Sequence, residues 1–330
     1  MVKRKEERFW RRKPVLITGV SGFVGRALSH RLVSLGARLI GLLKADESKR
    51  YFFQSGLDKQ MRVLHGNLED FSPIEQAIRR HHVEVVYHLG AQAIVTRANQ
   101  NPLETFEANI EWTWSVLEAC RGKKRMLGVV VASSDKAYGT HIKLPSEEIF
   151  PLQPEFPYDV SKACADLIAQ SYYKTYQLPV VVTRFANIYG PGDFNFTRIV
   201  PDTLRSVMKG KRPIIRSDGT PERDYLYIDD VVDLYLLLVE NIGKTKGQVF
   251  NAGNQKPIRV SDLVRMITHI AGRQDLEPLI KGKKSLHGEI DRQWLDASKI
   301  RKLLGWRPKV TFQNGLKRTC EWYRSYFEAR

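Results

Sequence analysis

The sequence predicts an α/β fold: a doubly wound parallel sheet covered by helices on both faces, with a smaller C-terminal lobe for substrate. Three observations carry this expectation. Short unbroken runs of Val, Ile and Leu alternate with longer helical stretches through the first half of the chain, and strands apolar on both faces belong to parallel sheets buried between helix layers. A glycine-rich turn lies between the first such run and the first helix. After Arg184 the alternation stops at Gly190-Pro191-Gly192, and shorter, irregular elements follow.

Taken in order, Pro14 to Thr18 (PVLIT) reads as a short buried strand and Gly22 to Leu35 as a helix. Ala37 to Leu43 and Arg62 to His65 read as the second and third strands, and Phe71 to Arg80 as a helix. Val83 to His88 (VEVVYH) is the fourth strand, Pro102 to Cys120 a helix, and Leu127 to Ala132 (LGVVVA) the fifth strand. A helix over Tyr158 to Tyr176 leads to Pro179 to Thr183 (PVVVT). The expected organisation is a basic extension over 1–13, a dinucleotide-type domain over 14–186 with a return near 225–253, and a substrate lobe over most of 187–330.

Composition narrows the function class. The chain has 330 residues, 42% hydrophobic, enough for a large core. It contains no run of roughly 18 apolar residues, so no membrane span is expected. The opening MVKRKEERFWRRKP has the charge of a signal peptide without its apolar segment, and a cytoplasmic address is expected by default. Cys120, Cys164 and Cys320 are far apart and show no metal-ligand spacing, so no metal is expected. The formal charge of +17 concentrates in Lys3, Arg4, Lys5, Arg8, Arg11, Arg12 and Lys13, and again in Lys281, Lys283 and Lys284. Such charge suits nucleic acid or an anionic membrane. Without an aromatic-interleaved RNA-binding motif it is read instead as a solvated surface and a frayed terminus, and no nucleic-acid partner is expected.

Thr18-Gly19-Val20-Ser21-Gly22-Phe23-Val24-Gly25 follows the first strand and opens the first helix. Glycines at 19, 22 and 25 permit a tight turn and let backbone N–H groups approach a diphosphate at the helix N-terminus, as in a Rossmann dinucleotide site. At the end of the second strand, where an acidic residue would grip a ribose, stands Lys44, with Asp46 slightly later. A cation there suits a 2′-phosphate. NAD and NADP both stay open, with a lean to NADP.

Tyr158 and Lys162 are four residues apart in a helical stretch and share a face. A cation beside a phenol favours phenolate, so the pair can take a proton from a substrate alcohol while hydride leaves. Just after the fifth strand comes Ser133-Ser134-Asp135-Lys136-Ala137-Tyr138-Gly139. Ser134 is placed to hydrogen-bond the reacting alcohol, and Asp135 and Lys136 supply an acid–base pair; a surface salt bridge is the plain alternative.

Together these motifs resemble the extended short-chain dehydrogenase/reductases of the nucleotide-sugar epimerase and dehydratase group. The resemblance runs through TGVSGFVG, HLGAQ (His88 to Gln92), Glu107-Ala108-Asn109, SSDKAYG, YDVSK, RFANIYGPGD, RDYLYIDDVV, NAGN and LDASKIRKLLGWRP. It implies hydride transfer at C4 of a sugar by Ser134, Tyr158 and Lys162. The Asp135-Lys136 pair is similar to that of CDP-glucose 4,6-dehydratases, where simple 4-epimerases carry small or hydroxyl residues. A 4-epimerase, and a non-catalytic RNA- or protein-binding relative, are the alternatives. The resemblance further implies a tightly bound NAD or NADP held by Gly19, Ser21, Gly22, Phe23, Val24, Gly25, Lys44, Asn67, Leu68, Leu89, Ala91, Gln92 and Asn109 together with Tyr158 and Lys162. It implies a nucleotide-sugar substrate met by Arg97, Asn187, Arg216, Arg223 and Arg292. It also implies a homodimer in which the helices over Pro102–Cys120 and Tyr158–Tyr176 pair into a four-helix interface.

Overall fold

The structure, a computed structural model, describes residues 2–43, 50–66, 71–282 and 290–329. Lys44, Asn67, Leu68, Lys283 and Lys284 lie outside the described residues.

The chain divides into two compact units. The first comprises residues Met1–Ala137, Phe156–Arg184 and Val232–Phe250. Its strands are β1 (Pro14–Thr18), β2 (Arg38–Leu43), β3 (Arg62–His65), β4 (Val85–His88), β5 (Gly128–Ala132) and β6 (Val180–Phe185), joined at the edge by Val249–Ala252. The order across the sheet is Val249–Ala252, β6, β5, β4, β1, β2, β3. β1 pairs in parallel with both β2 and β4, so the winding reverses between β1 and β4. In open parallel sheets ligands bind beyond the strand carboxyl ends at such a reversal. Every residue of β1 is buried, as its apolar run requires.

The helices of this unit are α1 (Val2–Trp10), α2 (Phe23–Ser34), α3 (Arg50–Gln54), α4 (Phe71–Arg80), α5 (Val95–Gln100), α6 (Pro102–Phe106), α7 (Trp112–Cys120) and α8 (Pro157–Tyr176). Leu16, Val86, Val129 and Val131 of the sheet pack with Ile74 and Ile78 of α4, Val116 and Leu117 of α7, and Ala169 of α8. At about 25 cal/mol per Å² of apolar surface removed from water, such a layer is the main source of stability.

Two expectations are corrected. The basic N-terminus does not fray. Trp10 at the end of α1 is fully buried, donates its indole N–H to Glu240 Oε1 at 2.7 Å and lies 6.4 Å from the Tyr87 ring. An indole buries too much apolar area to stay in water when a slot is available. The expected single helix over Pro102–Cys120 is three pieces: α6, a π-helical turn at Glu107–Glu111, and α7. The turn carries Asn109, whose side chain bonds outside the helix, to Gln92 and Ser161.

The second unit comprises residues Tyr138–Glu155, Phe185–Val231 and Asn251–Arg330. Tyr138–Glu155 was expected in the first domain. Its Tyr138 is fully buried with Ala186 and Leu295, and its hydroxyl donates to Asn251 Oδ1 at 2.8 Å. The unit has small sheets, one of Ile258–Arg259, Glu222–Arg223 and Arg292–Gln293, and helices at Ile199–Met208, Val260–Ile270 and Phe312–Glu328. Buried Asp224 accepts from the backbone N–H groups of Tyr225, Asn254 and Gln255, fixing the NAGN turn.

Among the described residues no helix is long and apolar enough to cross a membrane, and no group of His, Cys, Asp and Glu side chains could hold a metal ion.

Candidate active site

The candidate site lies in the first unit, at the carboxyl ends of β1, β4 and β5. The glycine turn follows β1. Gly19 adopts φ +67, and a Cβ there would lie 2.7 Å from the Gly90 amide nitrogen. A Cβ on Gly25 would lie 2.2 Å from the Gly19 carbonyl oxygen. Glycine is therefore required at both positions, and the turn packs directly on the loop after β4. Gly22 caps α2 with no side-chain hydrogen bond, and the first turn of that helix holds no acidic residue. Ser21, Phe23 and Val24 are half-buried around this N-terminus, where backbone N–H groups and the helix dipole favour an anion. The cradle fits the diphosphate of a dinucleotide.

The loop after β4 runs from Leu89 to Gln92. Asn109, 2% exposed on the π-turn, holds it by exchanging two hydrogen bonds with the Gln92 backbone: Gln92 N–H donates to Oδ1 at 2.7 Å, and Nδ2 donates to Gln92 O at 3.0 Å. The second Nδ2 hydrogen reaches Ser161 Oγ at 2.8 Å, and Ser161 in turn donates to Tyr158 O at 2.7 Å. The Gln92 side chain ties the loop to Thr105 Oγ1 at 3.0 Å. Leu89 and Ala91 are half-buried.

After β5, residues Asp135–Tyr138 form a single 3-10 turn. Ser134 caps it: its Oγ accepts from Lys136 N–H at 3.2 Å and donates to Asp135 Oδ1 at 3.0 Å. Asp135 is 3% exposed, while Lys136 is half-buried. Helix α8 is hydrogen-bonded to the same strand end, because Lys162 Nζ donates to Ala132 O at 2.8 Å and Ser133 Oγ donates to Lys162 O at 3.3 Å. Ser134, Asp135, Lys136 and Lys162 thus belong to one strand terminus, and Tyr158 lies one helical turn before Lys162 on α8. Burial pulls the Lys162 ammonium down from its ordinary range to about 8.

Four polar residues at the site carried no role in the sequence reading: Thr18, His88, Thr113 and Ser161. Thr18 and His88 are register partners at the ends of β1 and β4, and Thr18 Oγ1 lies 2.8 Å from His88 Nδ1. A polar residue closing each of two apolar runs was the available signal.

The residues expected to meet substrate are more dispersed. Arg97 on α5 is exposed and paired with Glu104, with Nε 3.1 Å from Oε2. In the second unit, Arg223 is buried and its Nη1 donates to Glu222 O and Asp291 O, each at 3.0 Å. Asn187 Nδ2 donates to Asp224 O at 3.3 Å. Arg216 and Arg292 are exposed and paired with Asp202 and Glu222, each at 3.1 Å.

The chain is similar to known proteins over nearly its whole length. The chain is 29% identical over 96% of its length to the dTDP-D-glucose 4,6-dehydratase of Homo sapiens, covering 91% of that protein. It spans about half the length, 47%, of the Arabidopsis thaliana trifunctional UDP-glucose 4,6-dehydratase it matches at 29% identity over 94% of its own. Among solved structures, a UDP-glucose 4-epimerase of Thermotoga maritima with UDP-glucose superposes with TM-score 0.87 at 29% identity, covering 95% of this chain and 99% of that one. A dTDP-glucose 4,6-dehydratase of Streptomyces venezuelae with NAD bound superposes with TM-score 0.86 at 26% identity, covering 96% and 98%. Residues 16–319 match the family described as GDP-mannose 4,6 dehydratase, and the chain belongs to that family, within the extended short-chain dehydrogenase/reductases.

Proposed function

We propose that the chain converts a nucleoside-diphosphate hexose into the 4-keto-6-deoxy sugar, with loss of water, using a tightly held NAD or NADP. The observation that carries this reading is the 3-10 turn after β5, where buried Asp135 and neighbouring Lys136 stand beside Ser134. The solved dehydratase from Streptomyces venezuelae carries NAD. The bound nicotinamide would supply a reversible hydride acceptor.

In this reading Tyr158 takes the O4 proton of the sugar as C4 is oxidised, with the Lys162 cation stabilising the phenolate and the Ser134 hydroxyl holding O4. The new ketone acidifies the C5 hydrogen. Lys136 removes that proton while Asp135 protonates the departing C6 hydroxyl, so one water leaves. Lys136 would then return its proton to C5, while the hydride comes back from the bound nicotinamide at C6. Asn187 and Arg223 are proposed to meet the substrate. Arg97, Arg216 and Arg292 would exchange exposed carboxylate partners for phosphate, since the guanidinium fork suits both.

A 4-epimerase would share Ser134, Tyr158 and Lys162 but would have no use for Asp135 and Lys136. Incubation with CDP-, dTDP-, GDP- and UDP-hexoses, read by mass, separates the two: a product lighter by one water supports dehydration, and an isomer of unchanged mass overturns it. We also propose a homodimer, supported by the exposed Leu103 of α6, Trp114 of α7 and Leu167 of α8, at 65%, 44% and 56% exposure, on helices that pack together in one protomer. A cytoplasmic location fits this activity.

A further inference from the structure

We propose that His88 is a positioning residue: through a one-way chain of hydrogen bonds it locks the loop after β4 and the Tyr158–Lys162 helix in a single mutual register. The inference rests on the reading of Tyr158 and Lys162 as the reacting pair.

The direction of every bond follows from donor counting. Thr113 Oγ1 has one hydrogen and gives it to Asn109 O at 2.7 Å. Toward His88 Nε2, 3.1 Å away, it can therefore only accept, so Nε2 carries the ring proton. Nδ1 is then bare and must accept, and Thr18 Oγ1 donates to it at 2.8 Å. That leaves the Thr18 oxygen free to accept from Gly90 N–H at 3.0 Å. The bonds run Gly90 N–H to Thr18 to His88 to Thr113 to the Asn109 carbonyl. A flipped ring or the other tautomer would set hydrogen against hydrogen or leave a buried lone pair bare, at about 1–3 kcal/mol per group.

The chain begins and ends on the parts a hydride-transfer site must hold still. Gly90 packs on Gly19 of the phosphate turn. The Asn109 carbonyl belongs to the π-turn, and its own side chain clamps the Gln92 backbone and reaches Tyr158 O through Ser161. π-turns are uncommon and recur at functional sites. Here Thr113, oriented by His88, donates to the carbonyl of Asn109 one turn back. Burial, and secondarily the Lys162 charge, lower the His88 imidazole to about 3, so it stays neutral. His88 has no reacting atom to touch; it acts through Thr113 and Asn109.

The test uses the full chain with 15N-labelled histidine. His88 should show the neutral Nε2–H signature from about pH 5 to 9. Thr113→Val, near-isosteric, should weaken dinucleotide binding and lower kcat, each by about tenfold, and His88→Leu likewise. The double variant should be no worse than His88→Leu alone, because the two residues form one link. His88→Gln, which offers both an amide N–H donor and a carbonyl acceptor, should recover both quantities to within about threefold. An imidazolium or Nδ1–H signature, additive effects of the two variants, or a Gln variant as impaired as Leu would overturn the proposal. Tautomer and binding need no turnover, so a protein that binds dinucleotide but releases no water would sink the dehydratase reading alone.

Discussion

Arg184 and Asp166 form a two-pronged ion pair inside the first unit: Nε to Oδ2 at 2.7 Å and Nη2 to Oδ1 at 3.0 Å, with side chains 3% and 0% exposed. Asp166 lies one helical turn beyond Lys162 on α8, and Arg184 is on β6. The pair fixes the height of α8 against the sheet. Asp166→Ala strands a buried guanidinium and should cost about 3–5 kcal/mol in denaturant unfolding. Replacing both partners with apolar residues of similar volume should cost much less.

The glycine turn makes a contrasting pair of predictions. Gly25→Ala drives a methyl group to 2.2 Å from Gly19 O, so dinucleotide affinity should fall by at least about tenfold, roughly 1.4 kcal/mol. Gly56 has a similar demand on φ, +69, but open space around it. Gly56→Ala should cost about 1–2 kcal/mol of stability and leave affinity intact. Calorimetric titration and thermal unfolding separate the two outcomes.

Lys162 gives a pH dependence with a defined sign. Burial lowers its folded-state pKa from 10.5 to about 8. Between pH 8 and 10.5 the unfolded chain holds a proton that the folded one has released, so this residue makes stability rise with pH across that window. Activity moves the other way, because the cation supporting the Tyr158 phenolate is lost above pH 8. A Lys162→Met variant should lose both the alkaline decline and the stability slope; a decline that persists at residual activity would assign it elsewhere.

Dehydration and oxidation should be separable. Asp135→Asn should slow water loss by about 10²–10⁴-fold, the range for a positioned acid, while sparing oxidation at C4. Lys136→Ala should block loss of the C6 oxygen and spare C4 oxidation. Full dehydratase activity in Lys136→Ala would remove that residue from the mechanism.

Leu167→Glu places a charge on the exposed apolar face of α8, 56% exposed in the single protomer. Sedimentation should show the wild-type chain as a dimer and this variant as a monomer.

The legible part of this protein was what local chemistry dictates. β1, β4, β5 and β6 announce themselves as apolar runs, and the glycines at 19 and 25 are legible because backbone approach leaves no alternative residue there. Tyr158 and Lys162 were found from helical spacing. What stayed hidden depends on partners far along the chain. His88 reads as a stray polar end of VVYH until Thr18 is set beside it, and the π-turn at Glu107–Glu111 cannot be heard in a helical sequence whose break comes from Asn109 bonding elsewhere. Arg216 and Arg292 rest on resemblance alone, and their ion pairs with Asp202 and Glu222 are not legible because charge order along a chain says little about pairing across it.

Trp10 and its acceptor Glu240 are separated by 230 positions. On a ribosome adding about 5–20 residues each second, the tryptophan waits roughly 10–45 s before its partner emerges. Until then the indole has the Tyr87 ring beside it but no acceptor for its N–H. Its final seating therefore waits for Glu240, and the helix that carries it docks fully only after more than two thirds of the chain has been made.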